Sequence, residues 1–137
     1  MDMTTADTTF AVIQWPVSNL ERSLAWYQTA LGMSLSFPYT PGDEAAWLDV
    51  DGIGLGLIET ANPPKLKYTD REGRLRPIIQ LRVKEIDALY HSLQAQGAVA
   101  CEMQSRPDSG RSFTVLDPDG LPLSIWGGWP SEGDGPV

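Results

Sequence analysis

The chain has 137 residues, of which 42% are hydrophobic and 20% charged, enough for one domain with a buried core. Its formal net charge of −8 argues against nucleic-acid binding, and no apolar run is long enough to span a membrane. The lone cysteine, Cys101, excludes an internal disulfide and favours a reducing compartment. We therefore expect a single-domain cytoplasmic protein with no nucleic-acid or membrane partner.

The first half of the chain predicts a strand, a helix and three more strands. Residues 10–17 are apolar and β-branched, which is typical of a strand. The helix that follows ends near Gly32, because glycine suits the left-handed position after a helix. Residues 33–37 predict a short strand, and residues 45–59 predict a hairpin that turns at Gly52.

The first helix is marked by an apolar stripe and by a start signal. Its apolar positions recur at intervals of four, three and four residues, which puts them on one face: Leu20, Leu24, Tyr27 and Leu31. Ser18 and Glu21 have the spacing of a capping box, so we expect the Ser18 side chain to cap this helix.

Residues 60–75 predict a linker between the two halves. They contain Asn62-Pro63-Pro64 and several charged residues, a composition typical of a solvated loop. The alternative is that Leu66 and Tyr68 fold back over a pocket.

The second half repeats the order of the first. Residues 78–83 predict a strand, and a helix with its stripe at Ile86, Leu89, Tyr90 and Leu93 ends near Gly97. A strand at 99–103 and a hairpin that turns at Gly120 follow. Val83 comes 66 residues after Val17, and Gly120 comes 68 after Gly52.

These nearly equal offsets indicate a duplicated β-α-β-β-β module, although two unrelated stretches of similar order remain the alternative. Module one covers residues 9–59 and module two covers residues 76–129. Residues 130–137 are rich in glycine, proline and acidic side chains, and they predict a frayed tail.

The chain resembles the vicinal oxygen chelate superfamily, which includes glyoxalase I, bleomycin-resistance proteins and extradiol dioxygenases. The resemblance is carried by four stretches: VSNLERSLAWY at 17–27, LGM at 31–33, VKEID at 83–87 and SFTVLDPDG at 112–120. It implies an α+β fold in which two tandem βαβββ modules, each with a mixed sheet, form an open barrel-like cup. It also implies a homodimer that completes the cup.

The resemblance further implies where the enzymes of this superfamily hold a divalent metal, which they bind through His, Glu or Gln at four strand positions. Those positions are Val12, Gly56, Ile78 and Ser124 in this chain. Valine, isoleucine and glycine have no metal-binding side chain, and a lone serine hydroxyl is a poor ligand. We therefore expect no metal, no cofactor and no catalytic residue, as in a metal-free member of the bleomycin-resistance type.

Three other side chains are candidates for chemistry. Glu59 would face the cup only if a bulge turned it inward, and a solvated carboxylate at a strand end is the simpler interpretation. His91 lies opposite the apolar stripe of the second helix, so we expect it at the surface. Cys101 is interpreted as a buried strand residue.

Side-chain alternation along the strands predicts the residues that line the cup. These are Val12, Gln14, Gly56, Ile58, Ile78, Gln80, Arg82, Ser124 and Trp126. Apolar walls with a few amides, a hydroxyl and one aromatic ring are typical of a small-molecule pocket, although side chains that simply fill the core are the alternative. We expect Gln14 and Gln80 to lie near one another across the cup.

The sequence therefore predicts a protein that binds a small, planar organic ligand by stacking on Trp126. Arg82 favours an anionic group at one end of that ligand. The alternatives are a metal-dependent or metal-independent lyase, isomerase or dioxygenase of the same superfamily, or a ligand-sensing subunit that binds a partner chain.

Overall fold

The computed structural model describes residues 7–130. Its elements in chain order are β1 (Val12–Val17), α1 (Leu20–Leu31), β2 (Ser34–Leu35), β3 (Ala45–Val50), β4 (Ile53–Glu59), β5 (Lys67–Thr69), β6 (Leu75–Pro77), β7 (Ile79–Arg82), α2 (Ile86–Ala95), β8 (Val99–Arg106), β9 (Gly110–Leu116) and β10 (Pro122–Trp126). The expected β-α-β-β-β order occurs twice, with the β5–β6 hairpin between the two modules. Neither described helix is long and apolar enough to cross a membrane.

Each module folds into a four-stranded mixed sheet, in the order β1-β4-β3-β2 for module one and β7-β10-β9-β8 for module two. The first strand of each module runs parallel to the last, and the other neighbours are antiparallel. In the described chain β1 and β7 therefore each lie at a free edge of a sheet. The α+β fold with two open sheets is confirmed.

The hairpin between β3 and β4 fixes the register of module one. Asp51 and Gly52 both have positive φ, 52° and 86°, and Val50 pairs with Ile53 across this two-residue turn. Such turns match the twist of the flanking strands, so the pairing continues without a slip. As a result Trp47 lies directly opposite Gly56.

The start of α1 differs from the prediction. Asn19 is the N-cap, and its side chain accepts a hydrogen bond from the Arg22 backbone N–H at 3.1 Å. The Ser18 hydroxyl, which we expected to cap the helix, donates instead to Asp119 Oδ1 of module two, and the Ser18 backbone N–H donates to Asp119 Oδ2 at 3.0 Å. The capping box was therefore wrong, because a long-range carboxylate engages Ser18. Gly32, with φ of 69°, ends the helix as predicted.

One apolar core joins the two modules. It contains the helix stripes and the sheet residues that alternate away from the expected cup: Trp15, Val17, Leu20, Leu24, Tyr27, Leu48, Leu55, Leu57, Ile86, Leu93, Phe113, Val115, Leu123 and Ile125. The predicted stripes of both helices are confirmed as buried or packed against this core. Because both sheets bury one face in the same core, their other faces, called here the open faces, point outward on different sides of it.

The segment at 60–75 is not the solvated loop that its composition predicted. Lys67–Thr69 pairs with Leu75–Pro77, and Asp70 organises the turn between them. Its carboxylate accepts hydrogen bonds from the backbone N–H of Glu72 and Arg74, both at 2.9 Å, and from Arg76 Nε at 3.0 Å. These bonds, that of the Arg74 backbone first, lower the pKa of Asp70 below its ordinary value.

Several element ends also differ from the prediction. The first strand begins at Val12, the second is only Ser34–Leu35, and β8 extends to Arg106. Ile78 lies just before β7, which begins at Ile79. The predicted frayed tail lies outside the described residues except for Pro130.

Candidate functional site

The open face of module one has an aromatic ring where the superfamily's enzymes place a metal ligand. Val12 pairs with Gly54 and Gln14 with Gly56, so these positions share that face. The indole of Trp47 lies against Gly56 so closely that a Cβ added there would stand 2.3 Å from Trp47 Cζ3. The Trp47 ring can therefore occupy this position only because Gly56 has no side chain.

Glu59 does not face the open side of module one. Its Oε2 accepts a hydrogen bond from the Leu20 backbone N–H at 2.9 Å, at the beginning of α1. A carboxylate at this point satisfies a free N–H and interacts favourably with the helix dipole. Neither alternative for Glu59 describes it fully. The side chain is neither turned into the cup nor merely solvated, because from the end of β4 it caps α1.

Module two has a wide groove on its open face, with a volume of about 1070 Å³. The floor belongs to its sheet, and the β5–β6 hairpin adds Tyr68 and Leu75 to the wall. Of the predicted site residues, Ile78, Gln80, Ser124 and Trp126 line this groove together. No residue of β1–β4 lines it, within the part of the chain that the structure describes.

Two rows of polar side chains cross the floor of this groove. Strand pairing aligns Cys101, Thr114, Ser124 and Gln80 in one row, and Gln104, Ser112 and Trp126 in the next, with Arg82 beyond Trp126 and outside the groove lining. Gln80 Nε2 donates to Ser124 Oγ at 3.0 Å, so these two side chains bond to each other. The hydroxyls of Ser112 and Thr114 have no hydrogen-bond partner among the described residues.

An aromatic corner closes one end of the groove. Trp126 Nε1 donates to the Ser109 carbonyl at 2.6 Å, which fixes the orientation of the ring. The ring of Trp129 meets it edge-on at 4.9 Å between centroids. The Arg82 guanidinium lies 5.3 Å from the Trp126 centroid, a cation–π contact.

The predicted site residues are thus divided between two surfaces. Val12 and Gln14 share the open face of module one with Gly56 and Ile58, whereas the others lie in or beside the groove of module two. Gln14 and Gln80 consequently do not approach one another within one chain. Arg82 stacks on Trp126 and is not among the residues that line the groove.

Sequence reasoning missed several residues of these two surfaces. Trp47 was overlooked, although counting back from the Asp51-Gly52 turn puts it opposite Gly56. Thr114 and Ser112 could likewise have been predicted from the strand register, because they pair with Ser124 and Trp126. Cys101 is exposed and lines the groove, so its interpretation as buried was wrong. Because β8 is an edge strand with two register shifts, no alternation pattern predicts that outcome.

The residues at the superfamily's metal positions do not fit a metal. Val12, Gly56 and Ile78 offer no donor atom, and the Ser124 hydroxyl already accepts from Gln80. Within residues 7–130, no group of three or more His, Cys, Asp or Glu side chains is arranged as a metal site. His91 is exposed on α2, as predicted.

A match to a protein-family model shows to which superfamily the chain belongs. Residues 9–125 match the model of the glyoxalase/bleomycin resistance protein/dioxygenase superfamily. The chain belongs to this superfamily. No curated protein matches it by sequence.

Several solved structures share the fold of this chain at low sequence identity. TnmS3, described as an antibiotic binding protein from Streptomyces sp. CB03234, is 23% identical, with a TM-score of 0.66 over 91% of this chain and 99% of that one. A putative glyoxalase family protein from Bacillus anthracis is 20% identical, with a TM-score of 0.67 over 92% and 99%. A lactoylglutathione lyase from Agrobacterium tumefaciens is 14% identical, with a TM-score of 0.65 over 90% and 96%. Binding proteins and enzymes thus share this fold, so function has to be argued from the site.

Proposed function

We propose that this protein is a metal-free binding protein of the glyoxalase/bleomycin-resistance type, which holds a small planar organic ligand without transforming it. The observation that carries the proposal is the state of the four metal positions. In module one, the Trp47 ring lies over Gly56. In module two, Ser124 is hydrogen-bonded to Gln80. Gly56 and Ser124 thus belong to surfaces for contact and hydrogen bonding, which are the means by which binding proteins hold neutral organic molecules.

The groove of module two supports a ligand of this shape. It has a wide opening, a floor of hydroxyls and amides, and an aromatic corner formed by Trp126 and Trp129. Trp126 is held by its bond to Ser109, so a ring that stacks there meets a preorganised surface and loses little additional entropy. We expect micromolar affinity or better, a binding free energy of about −8 kcal/mol.

We also propose that the protein is a homodimer in which a second copy completes the cup. No described residue of β1–β4 lines the module-two groove, and β1 and β7 each lie at a free edge of a sheet in the described chain. Apolar side chains at these edges are exposed: Phe10 by 76%, Ile13 by 43% and Ile78 by 56%. A free strand edge with exposed apolar side chains is a surface that proteins normally cover, and a two-fold dimer that sets β1 beside the partner's β7 covers both.

A cytoplasmic location fits the exposed thiol of Cys101, which an oxidising compartment would modify. The net charge of −8 supports the absence of a nucleic-acid partner.

The test is a thermal-shift screen of planar aromatic compounds, followed by calorimetric titration of the hits. Trp126→Ala should weaken binding by about 1–3 kcal/mol, because the stacking surface is lost. The matched control is Trp26→Ala, since Trp26 packs against Tyr27 on the core side and touches neither open face. Aromatic hits that bind wild type and Trp126→Ala equally would show that the pocket is elsewhere. Turnover of a substrate by protein that retains a metal would favour the enzyme alternative.

A further inference from the structure

The floor of the module-two groove has unused hydrogen-bonding capacity of a particular kind. Gln80 Nε2 and Ser124 Oγ bond to each other, which leaves Gln80 Oε1 as an acceptor and the Ser124 hydroxyl proton as a donor. Ser112 and Thr114 add hydroxyls that bond to nothing in the described chain. Gln104 Oε1 accepts from Arg106 at 3.1 Å, which leaves its amide hydrogens as donors. The floor therefore offers neutral donors and neutral acceptors side by side.

The charged groups around this floor are largely compensated. At the hairpin rim, Arg76 pairs with Asp70 at 3.0 Å, and Arg74 pairs with Glu72. Arg106, Asp108 and Glu102 also line the groove, on the side of β8, so the signs there are again mixed. Three arginines and two acidic residues line the groove, and both hairpin arginines among them are ion-paired, so the lining itself carries little uncompensated charge.

Alternating neutral donors and acceptors beside an aromatic ring are suited to a group with several hydroxyls. Each hydroxyl of such a group both donates and accepts, so it can pair with an amide oxygen and a neighbouring serine or threonine at once. The apolar C–H face of a sugar ring packs on an indole, and Trp129 is 49% exposed at the corner of the groove.

We propose that the ligand carries a neutral polyhydroxylated group, such as a sugar, over the floor formed by Gln80, Gln104, Ser112, Thr114 and Ser124. This inference rests on the proposed function, because the aromatic part of the same ligand stacks at the Trp126 corner. It replaces the anionic group that Arg82 had suggested, since Arg82 lies on the Trp126 ring and does not line the groove.

The test uses matched compounds on the full-length protein. For each of several planar phenols, a coumarin, a flavonoid and an anthraquinone, the free phenol, its O-glucoside and its O-sulfate are titrated by calorimetry, with free glucose as a further arm. We expect at least one glucoside to bind about tenfold more tightly than its phenol and its sulfate. Free glucose, which lacks the ring, should bind far more weakly.

Variants locate the effect. Thr114→Val keeps the side-chain shape and removes one hydroxyl, and Ser112→Ala removes the other. Each should weaken glucoside binding about 3- to 10-fold and weaken binding of the phenol distinctly less. The matched control is Thr29→Val, because the Thr29 hydroxyl bonds within α1, to the Ala25 carbonyl. Melting temperatures are measured for every variant, so that a loss of fold is recognised directly.

The possible failures are distinguishable. If phenols and glucosides bind equally, or if sulfates bind best, the polyhydroxylated group is refuted while the planar-ligand function stands. If glucosides bind best but both floor variants retain full affinity, the sugar lies elsewhere and the inference is again refuted. If no compound of the panel binds or shifts the melting temperature, the proposed function and this inference fail together.

Discussion

One hydrogen bond ties the two modules together inside the core, and its removal gives a quantitative test. The Tyr27 side chain on α1 is fully buried, and its hydroxyl donates to Asp117 Oδ2 at 2.7 Å. Asp117 lies in the turn between β9 and β10, and its Oδ1 accepts from the backbone N–H of Asp119 and Leu121, at 2.9 and 2.8 Å. Within the described chain, Tyr27 is thus the one donor to Oδ2.

Tyr27→Phe leaves that buried carboxylate oxygen without a donor. Hydrogen bonds to charged groups contribute about 1.5–3 kcal/mol, so we expect the free energy of unfolding to fall by about 2–3 kcal/mol. The matched control is Tyr90→Phe on α2. The Tyr90 ring packs on Phe113 at 4.9 Å between centroids, but its hydroxyl has no hydrogen bond to a described residue. We expect that change to be within about 0.5 kcal/mol.

The pH dependence of this loss has a definite sign. Burial raises the pKa of Asp117 above its ordinary value, and the bond from Tyr27 opposes that rise. In Tyr27→Phe the pKa is therefore higher still. A raised carboxyl pKa stabilises the fold at low pH, and this contribution is lost as the pH rises through the folded-state pKa. The penalty of the variant should thus be largest above both folded-state pKa values and should shrink on acidification.

The assay is urea unfolding of wild type and both variants at about pH 8 and about pH 5, at one protein concentration because a dimer is expected. The reasoning is refuted if Tyr27→Phe loses no more stability than Tyr90→Phe. It is also refuted if the penalty grows as the pH falls.

Three further predictions follow from the site and the sheet edges. Gly56→Ala should lower stability by about 1–3 kcal/mol and change tryptophan fluorescence, because its Cβ would stand 2.3 Å from the Trp47 ring; an unchanged spectrum contradicts this. Elemental analysis after dialysis against a chelator should find far less than one Zn, Ni, Mn or Fe per chain, and about one per chain would refute metal-free binding. Light scattering at micromolar concentration should give the mass of two chains, and Ile13→Asp at the β1 edge should reduce it towards one; a single-chain mass for wild type opposes the homodimer.

Much of the fold follows from local sequence signals. Gly32 and Gly97 both have positive φ just past the helices, and Gly52 and Gly120 both have positive φ in the hairpin turns. These positions favour glycine whatever the rest of the chain does, so they reveal element ends and the internal repeat. The burial of both helix stripes follows equally directly, since each stripe lies on one side of its helix.

What the sequence did not reveal depends on groups that lie far apart along the chain. Ser18 has a suitable capping partner three residues away, but Asp119, 101 residues later, engages it instead. Glu59 caps a helix 39 residues before it. Side-chain alternation predicted the face on which Trp126 lies, but it did not predict Arg82 over its ring or Trp129 at its edge. Local sequence patterns do not show which residues distant in sequence the tertiary fold brings into contact.

The two modules have different side chains at one pair of equivalent positions. Trp47 is the strand partner of Gly56, and Thr114 is the strand partner of Ser124. In module one a large ring covers a residue with no side chain, whereas in module two two small hydroxyl side chains lie side by side. Since β3–β4 and β9–β10 are equivalent antiparallel pairs in sheets of the same strand order, the difference at these positions lies in the side chains. In the proposed dimer, the aromatic face of one copy would stand opposite the hydroxyl and amide face of the other. A ligand held between them needs an apolar plane on one side and hydrogen-bonding groups on the other.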